Sequence, residues 1–176
     1  MAKQIVLFGA TGYTGHLTAE ALLKRRCYPL LAGRNQISLK ILAERLGGLN
    51  FRIADINRPQ SLRDLLEPGD VLISTVGPFG RYGKPVLEAA IEQRAHYIDS
   101  TGEPNFIKFV HSKQDAVQAA GICALTATGY DYFPGNCAAA AALRLAGEQA
   151  ARVDVGYFIE GGGPLPMSQG TLASTL

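Results

Sequence analysis

Two hydrophobic periods alternate along this chain. Short, continuous apolar runs are separated by longer stretches in which apolar residues recur every three or four positions. The first run covers residues 4–8 and predicts a buried strand. It is followed over residues 16–26 by a helical pattern with Leu17, Ala21, Leu22 and Leu23 on one side. Further strands are expected over residues 28–34, 49–54, 71–76, 96–100 and 122–126, and a longer one over residues 152–159. Helices are expected between them over residues 36–46, 59–66, 83–94 and 104–120, with an alanine-rich helix over residues 134–150. Gly47-Gly48 and Gly121 are suitable helix ends, and Pro59 suits a first helical turn. Residues 71–76 are apolar throughout, as in a strand covered on both faces. This regular alternation implies an α/β fold with a doubly wound, mostly parallel sheet.

The first strand–helix junction carries the most informative chemistry. Gly9, Ala10, Thr11, Gly12, Tyr13, Thr14 and Gly15 form a glycine turn with G-x-x-G-x-x-G spacing, one residue wider than the usual dinucleotide fingerprint. Gly9 lets the chain turn out of the strand, Gly12 lets backbone approach a phosphate, and Gly15 lets the helix pack close to the sheet. The opened helix offers unpaired N–H groups and its positive dipole end to an anion. This is the cradle of a Rossmann-type dinucleotide-binding fold. The second strand ends on Gly33-Arg34, where an NAD-preferring site would place an acid for the ribose hydroxyls. Gly33 leaves room, and the Arg34 fork suits a 2′-phosphate, which makes NADP(H) the expected cofactor. The alternative is a solvated arginine in a basic region, since Lys24-Arg25-Arg26 precede it.

Composition narrows the class. The 176 residues suffice for one domain with a real core, and 47% hydrophobic with 18% charged content fits a compact α/β domain. Seventeen basic against fifteen acidic residues leave a net charge of +2, too small to argue for nucleic acid. No apolar run approaches a membrane span. Residues 1–4 lead straight into the first strand, so no signal peptide is expected. Cys27, Cys123 and Cys137 are widely spaced and read as free buried thiols of a reducing cytoplasm. His16, His96 and His111 show no metal-ligand spacing, so no metal is expected.

In such folds the carboxyl ends of the strands bind ligands. Asp55 can accept from an adenine amino group or cap the next helix beside Asn57. Thr75, Val76 and Gly77, followed by Pro78-Phe79-Gly80, form a fixed turn where the nicotinamide half should lie; a plain turn before a helix is the alternative. Asp99, Glu103, Tyr130 and Asp131 are the candidates for proton relay or substrate binding, expected on an open face. Thr101 to Glu103 can equally cap the helix opening at Pro104, and Tyr130-Asp131 can equally be helix initiation.

Taken in order, these motifs resemble the NADP-binding domain of the saccharopine dehydrogenase-like oxidoreductases, a group that includes trans-acting enoyl reductases. The stretches carrying the resemblance are the glycine turn, Ala32-Gly33-Arg34, Asp55, Val76-Gly77-Pro78-Phe79 with Tyr82-Gly83, His96-Tyr97-Ile98-Asp99 with Thr101-Gly102-Glu103, and Gly129-Tyr130-Asp131 with Pro134. The resemblance implies cofactor contacts from Gly9, Thr11, Gly12, Tyr13, Thr14, Arg34, Asp55, Val76 and Gly77. It also implies a larger protein whose second domain covers the nicotinamide. The expected organisation is therefore an NADP-binding domain over residues 1–150 and the start of a second, truncated domain over residues 151–176. The expected activity is hydride transfer to or from an imine, carbonyl or enoyl small-molecule substrate; the alternative is a non-catalytic NADP(H) sensor or interaction protein. A short-chain dehydrogenase is excluded, because no tyrosine has a lysine four residues later. Apolar surface around Tyr132-Phe133 and residues 152–159 is expected to pair two copies into a homodimer.

Overall fold

A computed structural model of the chain describes residues 3–130, 132–147 and 150–158. Its frame is a six-stranded parallel sheet of β1 (Ile5–Phe8), β2 (Leu30–Gly33), β3 (Phe51–Ile53), β4 (Val71–Ser74), β5 (His96–Asp99) and β6 (Ala124–Leu125). The spatial order is β3-β2-β1-β4-β5-β6, with the chain reversing direction across the sheet between β1 and β4. Register is continuous through the centre: Val6 pairs with Leu30 on one side and Leu72 on the other. The connecting helices are α1 (Tyr13–Lys24), α2 (Gln36–Arg45), α3 (Pro59–Arg63), α4 (Phe79–Glu92), α5 (Pro104–Ser112), α6 (Gln114–Ala120) and α7 (Phe133–Ala146).

Successive side chains of a strand point to opposite faces, and this divides the core in two. Leu7 and Leu31 face Ala19 of α1 and Leu39, Leu42 and Ala43 of α2. Val6, Phe8, Leu30, Ala32, Leu72 and Tyr97 face the other layer, filled by Leu62, Val86, Leu87, Phe106 and Val110. The central strands β1 and β2 are apolar throughout because both of their faces are covered, whereas the edge strand β3 carries the exposed Arg52. The sheet is doubly wound and parallel, as the alternation predicts.

Several details differ from the sequence pattern. The helix expected over residues 104–120 is two helices broken at Lys113. The Ser112 hydroxyl donates to the Phe109 carbonyl at 2.7 Å, a local bond that competes with the helical ladder. α4 starts at Phe79 rather than residue 83 and runs through Pro85. The strand expected over residues 152–159 is not formed in residues 152–158, which have no regular secondary structure; Ile159 lies outside the described residues. β6 is only two residues long, and just beyond it Ala127 takes a left-handed φ of 56° that turns the chain away, so β6 offers little ladder to pair with. The segment packs instead on the start of α7, where Gly135 N–H donates to the Tyr157 hydroxyl at 3.0 Å. The cysteines are free, but Cys27 is half-buried and Cys123 and Cys137 are exposed. Cys123 directly precedes the short edge strand and Cys137 lies on a helix the core does not cover, so neither was drawn inside.

The glycine turn is the tightest packing in the fold. A Cβ on Gly15 would lie 2.2 Å from the Gly9 carbonyl oxygen, and backbone there has nowhere to go. Gly15→Ala is therefore expected to cost about 1–3 kcal/mol or more through overpacking. Thermal or denaturant unfolding of this variant against wild type measures it.

Candidate functional site

A cleft of about 380 Å³ opens along the carboxyl ends of β1, β2 and β4. Its floor is the glycine turn. Gly9 has a φ of 88°, reserved in practice for glycine, and both its N–H and that of Ala10 donate to the Ala32 carbonyl of β2, at 2.9 and 3.2 Å. From the other side the Thr75 hydroxyl donates to the Phe8 and Gly9 carbonyls at 3.1 and 3.2 Å. The turn is thus pinned between both neighbouring strands. Gly12 is less crowded: the one protein atom near its missing Cβ is the Gly9 carbonyl oxygen at 3.3 Å, and the residue lines the cleft.

The cleft brings together Gly9, Thr11, Gly12, Gly33, Arg34, Asp55, Thr75, Val76 and Gly77. Gly15 lies buried beneath Gly9, and Tyr13 and Thr14 open α1 outside the cleft lining. Arg34 is exposed at the end of β2 and forms no hydrogen bond or ion pair with any described residue. Asp55 accepts the Asn57 N–H at 2.9 Å, and its own N–H donates to the Ser61 hydroxyl at 3.0 Å, which fixes its loop along the cleft wall. Arg81 and Tyr82 complete the opposite wall, with the Arg81 guanidinium 5.1 Å from the Tyr82 ring centre. Sequence reasoning did not single out Arg81, and only its place in the first turn after Gly77-Pro78 could have pointed to it.

Helix termini sort the cleft electrostatically. Asn35 caps α2 by accepting the Ser38 N–H at 3.0 Å. The Glu103 carboxylate caps α4 from a distant loop, accepting Phe79 N–H at 2.6 Å and Gly80 N–H at 2.8 Å. α1 has neither a side-chain cap nor an acid in its first turn. Of these three, α1 alone presents a free positive end, and it does so at the glycine turn.

The remaining candidates divide. Asp99 is 1% exposed, not on an open face. Its Oδ1 accepts Thr101 N–H, Ala127 N–H and the Thr126 hydroxyl at 2.9, 3.0 and 3.1 Å, tying β5 to the end of β6. The cause of its burial is position: at the end of a central strand it is flanked by β4 and β6. Ser74 Oγ, Tyr97 Oη and Asp99 Oδ2 are buried without a hydrogen-bond partner among the described protein atoms. Burial pushes the Asp99 carboxyl above the ordinary range, against the opposing pull of those N–H and O–H donors. Burial, reinforced by the Asp99 charge, holds the Tyr97 phenol well above its ordinary value. Glu103 is half-buried, whereas Tyr130 is 66% exposed and meets Tyr157 edge-on at 5.3 Å. Asp131 lies outside the described residues. Among the described residues no group of histidine, cysteine and carboxylates could hold a metal ion.

The strand order and the glycine turn at the first strand–helix junction define a Rossmann-type dinucleotide-binding fold. The family model for the saccharopine dehydrogenase NADP binding domain matches residues 5–125, and the chain belongs to that family. It is 34% identical over 142 residues to a trans-acting enoyl reductase of Mycobacterium ulcerans, covering 76% of this chain and 34% of the relative. It is 30% identical over 151 residues to the human saccharopine dehydrogenase-like oxidoreductase, covering 75% of this chain and 35% of that protein. The chain therefore spans about a third of the length of these curated relatives. In fold it is similar to apo saccharopine dehydrogenase (L-Glu forming) of Saccharomyces cerevisiae, with a TM-score of 0.66 and 20% identity over 80% of this chain and 30% of that one. It is also similar to Citrobacter sp. triphenylmethane reductase complexed with NADP(H), with a TM-score of 0.56 and 22% identity over 70% of this chain and 48% of that one. The cofactor that goes with the family is NADP(H), and the cleft fits it: a glycine-lined floor, an uncapped helix end and an unpaired arginine.

The raised Asp99 carboxyl has a consequence for stability. A carboxyl more basic in the fold than in the unfolded chain contributes stability that is complete below the unfolded value, about 3.9. That contribution is lost as pH rises through the raised folded value. Asp99→Asn retains an acceptor for the same N–H groups but does not ionise. Its Tm is expected to lack the decline that wild type shows over that window. Melting curves at stepped pH check this, and parallel profiles would refute it.

Proposed function

We propose that this chain is the cofactor-binding part of an NADP(H)-dependent oxidoreductase acting on a small-molecule substrate with an imine, carbonyl or enoyl group. The observation carrying the reading is the junction of one uncapped helix end, the Gly9–Gly15 turn and Arg34 in a single cleft. Bound NADP(H) supplies a hydride donor or acceptor. The chain's own residues do the holding. Backbone N–H groups at the start of α1 meet the pyrophosphate, with Gly12 giving it room. Arg34 pairs with the 2′-phosphate, Asp55 meets the adenine, and Thr75, Val76 and Gly77 border the nicotinamide. The membership of curated oxidoreductases in this family favours turnover by the whole protein over a sensor role.

Catalysis also needs a substrate held against the nicotinamide and water kept away. Of the four sequence candidates, Tyr130 and Asp131 remain from this part of the molecule, since Asp99 is buried and the Glu103 carboxylate is taken up by α4. We propose that residues 1–150 form the NADP-binding domain and residues 151–176 lead into a second one, so that the chain alone binds cofactor without useful turnover. A cytoplasmic location fits the free cysteines. Among the described residues no helix is long and apolar enough to cross a membrane. A homodimer is supported by the apolar groups left exposed beside α7, where Phe133 is 55% and Phe158 94% exposed.

Titrating the purified chain with NADPH and NADH, followed by cofactor fluorescence, tests the core of this reading. A charge-assisted pair with phosphate contributes about 1.5–3 kcal/mol, so NADPH is expected to bind roughly 10- to 100-fold tighter. Arg34→Ala should abolish that preference and leave NADH affinity nearly unchanged; equal affinities in wild type would sink the assignment. Gly12→Val should stop both cofactors from binding while the far-ultraviolet spectrum and Tm stay close to wild type. Normal NADPH binding by that variant would mean that the phosphates do not lie on this turn.

A further inference from the structure

Across the cleft from Arg34, the wall is made by the first turn of α4 and the residues just before it, and what holds that turn comes from elsewhere in the chain. Both oxygens of the Glu103 carboxylate are engaged there, one by Phe79 N–H and the other by Gly80 N–H. Glu103 is itself braced: its N–H donates to the Thr101 hydroxyl at 3.1 Å, and Thr101 N–H donates to the buried Asp99 carboxylate at 2.9 Å. The clamp is close-fitting, since a Cβ on Gly80 would stand 2.9 Å from the Glu103 Oε2. Phe79, next to the clamp, packs against Phe106 with ring centres 5.6 Å apart. Arg81 and Tyr82, immediately after it, line the cleft.

We propose that Glu103 is a positioning residue for the nicotinamide half of the cofactor. Its carboxylate sets the first turn of α4, and so the placement of Val76, Gly77, Arg81 and Tyr82. It also takes up the positive end of α4, which leaves α1 as the anion-binding terminus of the cleft. This rests on the reading of the cleft as an NADP(H) site. The two partners lie more than twenty residues apart in sequence and are brought together by the pairing of β4 with β5 and by the packing of Phe79 on Phe106.

Two probes separate the halves of the site: NADPH, and 2′,5′-ADP, which carries the 2′-phosphate but no nicotinamide. In Glu103→Ala the NADPH dissociation constant is expected to rise about tenfold, in line with the loss of charge-assisted bonds that fix a binding wall, while 2′,5′-ADP affinity stays at the wild-type value. The fluorescence gain of bound NADPH at saturation should fall, since it reports the nicotinamide's surroundings. Glu103→Gln keeps one acceptor and should lie between. Gly80→Ala approaches the clamp from the other side: alanine is the better helix former, so the fold is kept while the carboxylate is displaced. It should show the same selective loss. Retained 2′,5′-ADP binding shows at once that each variant is folded. Equal loss of both probes, or NADPH binding and fluorescence unchanged in both Glu103→Ala and Gly80→Ala, would overturn the assignment. Wild type binding neither probe would instead overturn the cofactor reading, and this inference with it.

Discussion

Everything at the ligand-binding edge depends on one crossing of backbone, where Gly15 of α1 passes over the Gly9 carbonyl with no space for a side chain. Because the helix can come that close, its first turn starts directly above the end of β1. Because Gly9 adopts a left-handed φ, its N–H and that of Ala10 point back to Ala32 of β2. Thr75 then closes the arrangement from β4. Three strand ends and one helix end are thereby fixed relative to one another by backbone bonds and a single hydroxyl. Nothing flexible intervenes between the sheet and the surface that would meet a phosphate.

A second brace holds the other half of the edge. Asp99 gathers donors from its own loop and from the end of β6, Thr101 links that loop to Glu103, and Glu103 holds α4. Burying a carboxylate is costly, and the bonds to Oδ1 offset only part of it, as the upward shift of Asp99 indicates. A continuous relay of side-chain bonds therefore links the end of β6 to the loop after β5 and to the first turn of α4.

Much of this was legible in the residues themselves. The sequence pattern placed a strand at each of β1 to β6, most clearly at β1 and β2, where two-sided burial leaves a continuous apolar run. The wide glycine spacing, with Arg34 where an acid would mark NAD, indicated the cofactor class before any geometry was known. Local sequence could not show the start of α4: its cap is Glu103, beyond the next strand, so the signal is tertiary. The alternation over residues 152–158 did look like a strand, but a strand exists only with a ladder partner, and β6 ends too soon to be one. Asp99 drew attention as an acid at a strand tip. Its burial became visible only once β4 and β6 were known to flank it.

The position of β1 also has a bearing on how the protein comes together. It pairs early in the chain with β2, Val6 meeting Leu30, and much later with β4, Phe8 meeting Ser74. The first pairing closes a short loop around α1; the second must wait for a long one, and non-local pairings of this kind slow folding. The glycine turn and Arg34 belong to the local unit, while Thr75, Val76 and Gly77 arrive with the distant strand. A dinucleotide spanning both would bridge the seam between early and late parts of the chain. It would hold the sheet shut at the strand pairing that takes longest to find.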